Sequence, residues 1–343
     1  MSRKITIISA YAIAHFVVDF ACAFLMFRIL RGGQDWYIGL LIYNFCAFAL
    51  QMPMGLLADR LNHNAICAAM GCGLVVLAVP LGSMTIPAAI LAGVGNGMFH
   101  IGGGIEVLNA GMEKPALLGI FISPGALGIY LGTLLGKQKA LPVIVAIIGL
   151  IVMLLLILVF QYIDNKSFRS DNTALTLQGL EVPWVITAIG SLLLVVILRS
   201  YIGMSATFPW KSNGQWAGLL VGAVVLGKMF GGIIALWMGI KRTSILSLGL
   251  AAALFLFSDI PIMGIAAMFF FNMTMPLTLW GIARLLTGCK GFAFGILTFG
   301  LFLGFVPSYL ELTPLFSTTV GFSIASVFSL MVLLYGLRRV VDR

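Results

Sequence analysis

His15 and Asp19 stand four residues apart, and Asn96 and His100 repeat that spacing later in the chain. Residues at i and i+4 share a helix face, so each pair sets an imidazole beside a second polar group. Imidazole is the side chain that titrates nearest neutral pH, and beside a carboxylate it is equipped to take up and release protons. Arg199, Lys228 and Asn272 also fall inside strongly apolar stretches. An ionisable group at a bilayer centre costs at least about 2.5–3.5 kcal/mol, so each calls for a partner or a task. Pairing Asp19 with Arg199 leaves Lys228 to an anion. Cys22, Met26 and Met98 lie near these residues in sequence, and His, Met and Cys are ligands that softer transition metals choose. No HxxxH or CxxC spacing supports a metal site, so no metal and no cofactor is expected.

The elements that position these groups follow from composition. Hydrophobic residues make up 61% of the 343 residues and charged residues 9%, against about 45–50% and about 25% in soluble domains. A helix needs about 20 mainly apolar residues to cross a bilayer. Twelve stretches meet that measure, at 5–29, 36–58, 65–84, 85–111, 116–136, 141–163, 183–208, 216–240, 244–261, 262–285, 291–309 and 315–337. Asp19 falls near the middle of the first, Arg199 just beyond the middle of the seventh and Lys228 at the middle of the eighth. The expected fold is an all-α membrane protein of twelve transmembrane helices in two six-helix bundles, 1–163 and 183–343, joined by a polar linker at 164–182.

The net charge of +9 reads as the cytosolic excess of Lys and Arg found in membrane proteins, not as a nucleic-acid surface. With the N-terminus in the cytosol, Arg3, Lys4, Arg60, Lys114, Lys166, Arg169, Lys241, Arg242, Arg284, Lys290, Arg338, Arg339 and Arg343 lie inside. Only Arg28, Arg31, Lys137, Lys139 and Lys211 lie outside. Both termini are then cytosolic, and the first stretch is a retained helix and not a cleaved leader. The five cysteines lie in spans or a cytosolic turn, where no disulfide is expected.

The halves echo one another. Asp19 and Trp36 fall opposite Arg199 and Trp216, and Asn96, Gly119 and Gly128 fall opposite Asn272, Gly295 and Gly304. Gly128, Gly132 and Gly136 recur every four residues on the fifth span, a row that lets helix backbones approach closely.

The hinge after the second span reads Met54-Gly-Leu-Leu-Ala-Asp-Arg-Leu-Asn-His-Asn64. It resembles the loop between helices 2 and 3 of the major facilitator superfamily, Gly-x-Leu-Ala-Asp-Arg-x-Gly-Arg. Gly55, Leu57, Ala58, Asp59 and Arg60 match in register, while Asn62 and His63 replace the second Gly and second Arg. Gly93-Val-Gly-Asn-Gly-Met-Phe-His100 is similar to the fourth helix of the fosmidomycin-resistance branch, and the fifth span looks like the Gly/Pro-rich fifth helix of facilitator antiporters. The resemblance implies that helices 1, 4, 7 and 10 line a central cavity. His15, Asp19, Asn96, His100, Arg199 and Asn272 would then face a substrate and proton pathway, with Lys228 at mid-membrane beside them. It also implies that Gly55, Asp59 and Arg60 brace the cytosolic gate, where Glu106 could pair with Arg60 as a latch.

No HExxH, GxSxG or GxxxxGK[ST] appears, so an enzyme is not expected. Asn272-Met-Thr274 fits a glycosylation triplet but lies within a span. The reading is a monomeric, proton-coupled secondary transporter in the cell (inner) membrane that moves a small anionic or zwitterionic solute, with a lean toward efflux. The alternatives are a transition-metal ion transporter and an exporter of amphiphilic drugs.

Overall fold

Lipid offers no hydrogen bonds, so a chain of this composition has to satisfy its backbone within helices. A computed structural model of the protein describes residues 2–111, 114–163, 181–212, 214–312 and 317–341. The first half holds α1 (Ser2–Arg28), α2 (Trp36–Asn44), α3 (Gln51–Leu61), α4 (Asn64–Ala78), α5 (Thr85–Gly111), α6 (Pro115–Gln138) and α7 (Val143–Ile163). The second holds α8 (Val182–Ser205), α9 (Gly214–Met238), α10 (Ile240–Phe255), α11 (Pro261–Asn272), α12 (Thr274–Leu285), α13 (Lys290–Tyr309) and α14 (Thr319–Leu337). A π-helical segment, Phe45–Ala49, joins α2 to α3 in one span, and α11 and α12 form another span broken at Met273. The expected linker at 164–182 lies outside the described residues, save for its last two.

Eleven segments among the described residues are long and apolar enough to cross a membrane. The expected ninth span is the exception. It is α10, with 16 residues, about 24 Å at 1.5 Å per residue. It begins at Ile240 and stops at Phe255, whereas the apolar run suggested 244–261. Thr243 and Ser244 sit in its first turns and satisfy their hydroxyls on Gly239 and Ile240 carbonyls of their own helix, which keeps these polar residues helical. The joint expected at 84/85 falls at the turn before Thr85.

The turns obey local chemistry. Gly239 takes φ +80 between α9 and α10, a conformation glycine adopts without steric cost. Asn62 ends α3 in the left-handed region at φ 51, and Asn tolerates that region better than most residues. This explains how Asn62 fills the position that the resembling hinge gives to Gly. Burial in the turn between α8 and α9 holds the Lys211 ammonium below its usual pKa, and its Nζ donates to the Ala206 carbonyl at 3.0 Å.

The chain divides into two compact units. One comprises Met1–Ala110, Pro124–Ala174 and Gly288–Phe299, and the other Gly111–Ser123, Leu175–Thr287 and Gly300–Arg343. In the first, α1 and α4 both pack on α7, and in the second α8 and α10 both pack on α14. These are equivalent spans of the two halves, the pattern that the sequence echo leads one to expect. Along α6, a Cβ at Gly128 or Gly132 would strike the carbonyl of Phe16 or Phe20 on α1, and one at Gly136 would lie 3.1 Å from that of Phe24. The glycine row is therefore a close backbone contact in which each four-residue step on α6 meets a four-residue step on α1.

Candidate functional site

The two polar pairs of the first and fourth spans converge in the first unit. Helical spacing puts His15 and Asp19 on one face of α1, where His15 Nε2 lies 3.2 Å from Asp19 Oδ2. On α5, Asn96 Nδ2 donates to Asp19 Oδ1 at 3.1 Å, and His100 Nε2 lies 3.6 Å from the same oxygen. The two imidazoles meet edge to face, with Nε2 to Nε2 at 2.9 Å. All four residues are buried. Gly125 of α6 closes the site, because a Cβ there would collide with His15 Nε2 and Asp19 Oδ2.

Proton positions follow from the acceptors. His100 Nδ1 lies 2.9 Å from the Asn96 carbonyl, which can only accept, so the neutral ring carries its proton on Nδ1. Nε2 of His100 is then a lone pair. The 2.9 Å contact consequently requires His15 to hold a proton on Nε2 and to share it between His100 and Asp19. The cluster thus has one mobile proton position among three basic atoms.

The second unit holds a different centre. Arg199 of α8 is 6% exposed, and its Nη1 donates to Thr274 Oγ1 at 3.3 Å and Thr278 Oγ1 at 3.4 Å on α12. Both contacts are longer than the usual 2.9–3.0 Å. Each hydroxyl sends its own proton to a carbonyl of the same helix system, Phe271 and Met275, at 2.9 Å. Their lone pairs therefore face the guanidinium. Asn272 is buried at the helix break with its amide on the Met268 carbonyl at 2.9 Å.

Within its own unit, Asp19 has imidazoles and an amide as partners and Arg199 has hydroxyls. Lys228 is half-buried on α9. Cys22 directs its thiol toward the Ala92 carbonyl, and Met26 packs in an apolar cluster with Leu30, Ala88 and Ala89, so neither joins the histidines. Of the hinge residues, Asp59 accepts the backbone N–H groups of Gly291 and Phe292 at 2.8 and 2.9 Å. An acid suits the positive end of a helix such as α13. Gly55 allows this approach, since a Cβ there would strike the Gly291 carbonyl. Glu106 is buried and acts electrostatically on Tyr11, while Arg60 is exposed.

Sequence reasoning missed Thr274, Thr278 and Gly125. The two threonines are four apart and follow Asn272, so the spacing test applied to the histidines would have found them. Nothing local marks Gly125, whose role comes from the approach of another helix.

No protein-family model and no curated protein matches the chain. Solved structures do. The E. coli fucose:proton symporter FucP superposes with a TM-score of 0.69 at 12% identity, covering 97% of this chain and 98% of that one. A bacterial homologue of the iron transporter ferroportin, with soaked iron, gives 0.62 at 15% identity over 98% of each chain. The human organic anion transporter MFSD10 gives 0.65 at 13% identity, covering 96% of this chain and 99% of that one. At these identities the likeness establishes the fold, which is that of the major facilitator transporters.

Proposed function

We propose that this chain, built on the major facilitator fold, is a secondary active transporter that carries a small anionic or zwitterionic solute by alternating access, coupled to protons. The observation that carries this reading is Arg199, a buried cation held by two hydroxyls and by no carboxylate among the described residues. A buried charge is costly unless it is paired, and a solute carboxylate, phosphate or phosphonate would complete the pair. Sequence reasoning gave that anion to Lys228. Arg199 is the stronger candidate because its known partners are neutral. The likeness to an organic anion transporter agrees with the reading.

Proton coupling is assigned to His15, Asp19 and His100, whose geometry requires one shared proton, and the likeness to a proton symporter is consistent with it. The stretch similar to the fosmidomycin-resistance branch and the glycine-rich fifth span lean toward export. The uneven distribution of basic residues supports cytosolic termini, and the proposed location is the inner membrane of the cell. Gln138 is exposed at the end of α6, so a cysteine there is expected to react with impermeant reagents from outside only. Reaction from the cytosolic side alone would reverse the topology.

A thermal-shift screen of the detergent-purified protein tests the substrate class. A ligand at 100 times its Kd stabilises the folded state by about 2.7 kcal/mol. Carboxylates or phosphonates are expected to raise the unfolding temperature, whereas stabilisation by cationic amphiphiles alone would overturn the anion reading and favour a drug exporter.

A further inference from the structure

Among the described residues one group of His, Cys, Asp and Glu side chains brings three ligand atoms within 4.8 Å of one another, and it is His15, Asp19 and His100. The two Nε2 atoms are 2.9 Å apart, His15 Nε2 lies 3.2 Å from Asp19 Oδ2, and His100 Nε2 lies 3.6 Å from the other carboxylate oxygen, Oδ1. Ligands about 2.0–2.1 Å from a tetrahedral ion stand about 3.3 Å apart, so the apo side chains already lie near the spacing that an ion would impose.

The surroundings are those of a metal site. His100 donates Nδ1–H to a backbone carbonyl, the outer contact that metal-binding histidines almost always make, and this leaves Nε2 free to ligate. Asn96 steadies the Asp19 carboxylate through Nδ2. Its Oδ1, on a residue only 1% exposed, accepts no hydrogen bond. That orphaned acceptor belongs to the side chain that holds the Asp19 carboxylate. Gly125 walls the cluster on one side, packed so closely that a Cβ there would collide with His15 Nε2 and Asp19 Oδ2.

We propose that His15, Asp19 and His100 form a binding site for a divalent first-row transition-metal ion of the Zn2+, Fe2+ or Co2+ class. Two imidazoles and one carboxylate are the donors such ions take, whereas Ca2+ and Mg2+ prefer oxygen alone. On binding, the ion takes the place of the Nε2 proton that His15 shares with His100; in the neutral His15 ring that proton moves to Nδ1, so both histidines ligate through Nε2 as neutral imidazoles. Three protein ligands leave coordination positions open and one carboxylate compensates half the charge of the ion. The site is therefore suited to reversible exchange and not to a structural metal. This inference goes beyond anionic-solute transport and stands without it.

The test uses the full-length, tag-free protein in detergent, stripped of metal and titrated with Co2+ and Zn2+. One equivalent of Co2+ is expected to bind, giving visible d–d bands of low coordination without a sulfur-to-cobalt charge-transfer band, and Zn2+ should displace it. His100→Gln should weaken binding at least about 100-fold and Asn96→Ala about 10- to 100-fold. The exposed third histidine lies outside the cluster, so His63→Gln should bind as the wild type does. Absence of saturable binding, a sulfur-ligated spectrum, or full affinity in His100→Gln would each overturn the proposal. Should His100→Gln fail to fold, the wild-type spectrum decides, because nitrogen and oxygen ligation supports the site and sulfur ligation removes it. Loss of metal binding leaves the anion reading untouched, and loss of anion binding leaves the metal site untouched.

Discussion

Arg199→Gln is expected to weaken binding of an anionic solute about 10- to 100-fold while leaving the ligand-free protein as stable as before, or more so. The affinity loss follows from removing a hydrogen bond to a charged group, about 1.5–3 kcal/mol. The stability result is the less intuitive half. Arg199 is buried, and its two known contacts, at 3.3 and 3.4 Å, are long ones to neutral hydroxyls. Both hydroxyls keep their donors satisfied on Phe271 and Met275 when the guanidinium is gone. Removing a buried, poorly compensated charge should thus cost the apo protein little. Calorimetric titration of the best ligand, with thermal unfolding of both proteins, checks the two halves. Affinity within about twofold of wild type would remove the anion site, and a large fall in unfolding temperature would make Arg199 a structural residue.

The second large effect is expected at Asp19. Asn has one carbonyl oxygen where the carboxylate has two acceptors, and its NH2 group would face donors that Asp19 now satisfies on His15 and Asn96. An unsatisfied buried donor costs about 1–3 kcal/mol, so Asp19→Asn should fold with reduced stability. Its transport should change in kind. Without the carboxylate the cluster loses the acceptor that lets a proton move between His15 and His100, so solute exchange persists while uphill movement is lost.

Much of this molecule was legible in the sequence because lipid simplifies the problem. Eleven of the twelve expected spans appear as helices of spanning length, since continuous apolar runs in a bilayer have little choice but to be helical. The ninth expected span, 244–261, starts four residues after the helix begins at Ile240 and runs six residues past its end at Phe255. The i,i+4 pairs on α1 and α5 were visible, but their convergence into one cluster is a tertiary fact. An acid and a base in matching positions of two halves suggested an ion pair. Charge arithmetic could not foresee that imidazoles would serve Asp19 and threonines Arg199, because neutral partners leave no imprint in net charge. The glycines behaved similarly: the row at 128, 132 and 136 announced close packing, whereas Gly125 acquires its meaning from the side chains it lets in.

The account stands most directly on solute movement in proteoliposomes with an imposed pH gradient, measured for the wild type and Asp19→Asn with the best anionic ligand from the binding screen. The wild type is expected to accumulate the solute against its gradient, saturably and only while the pH difference lasts. Asp19→Asn is expected to exchange labelled for unlabelled solute at a measurable rate yet accumulate none. Full pH-driven accumulation by Asp19→Asn, or wild-type flux indifferent to the pH gradient, would contradict the account.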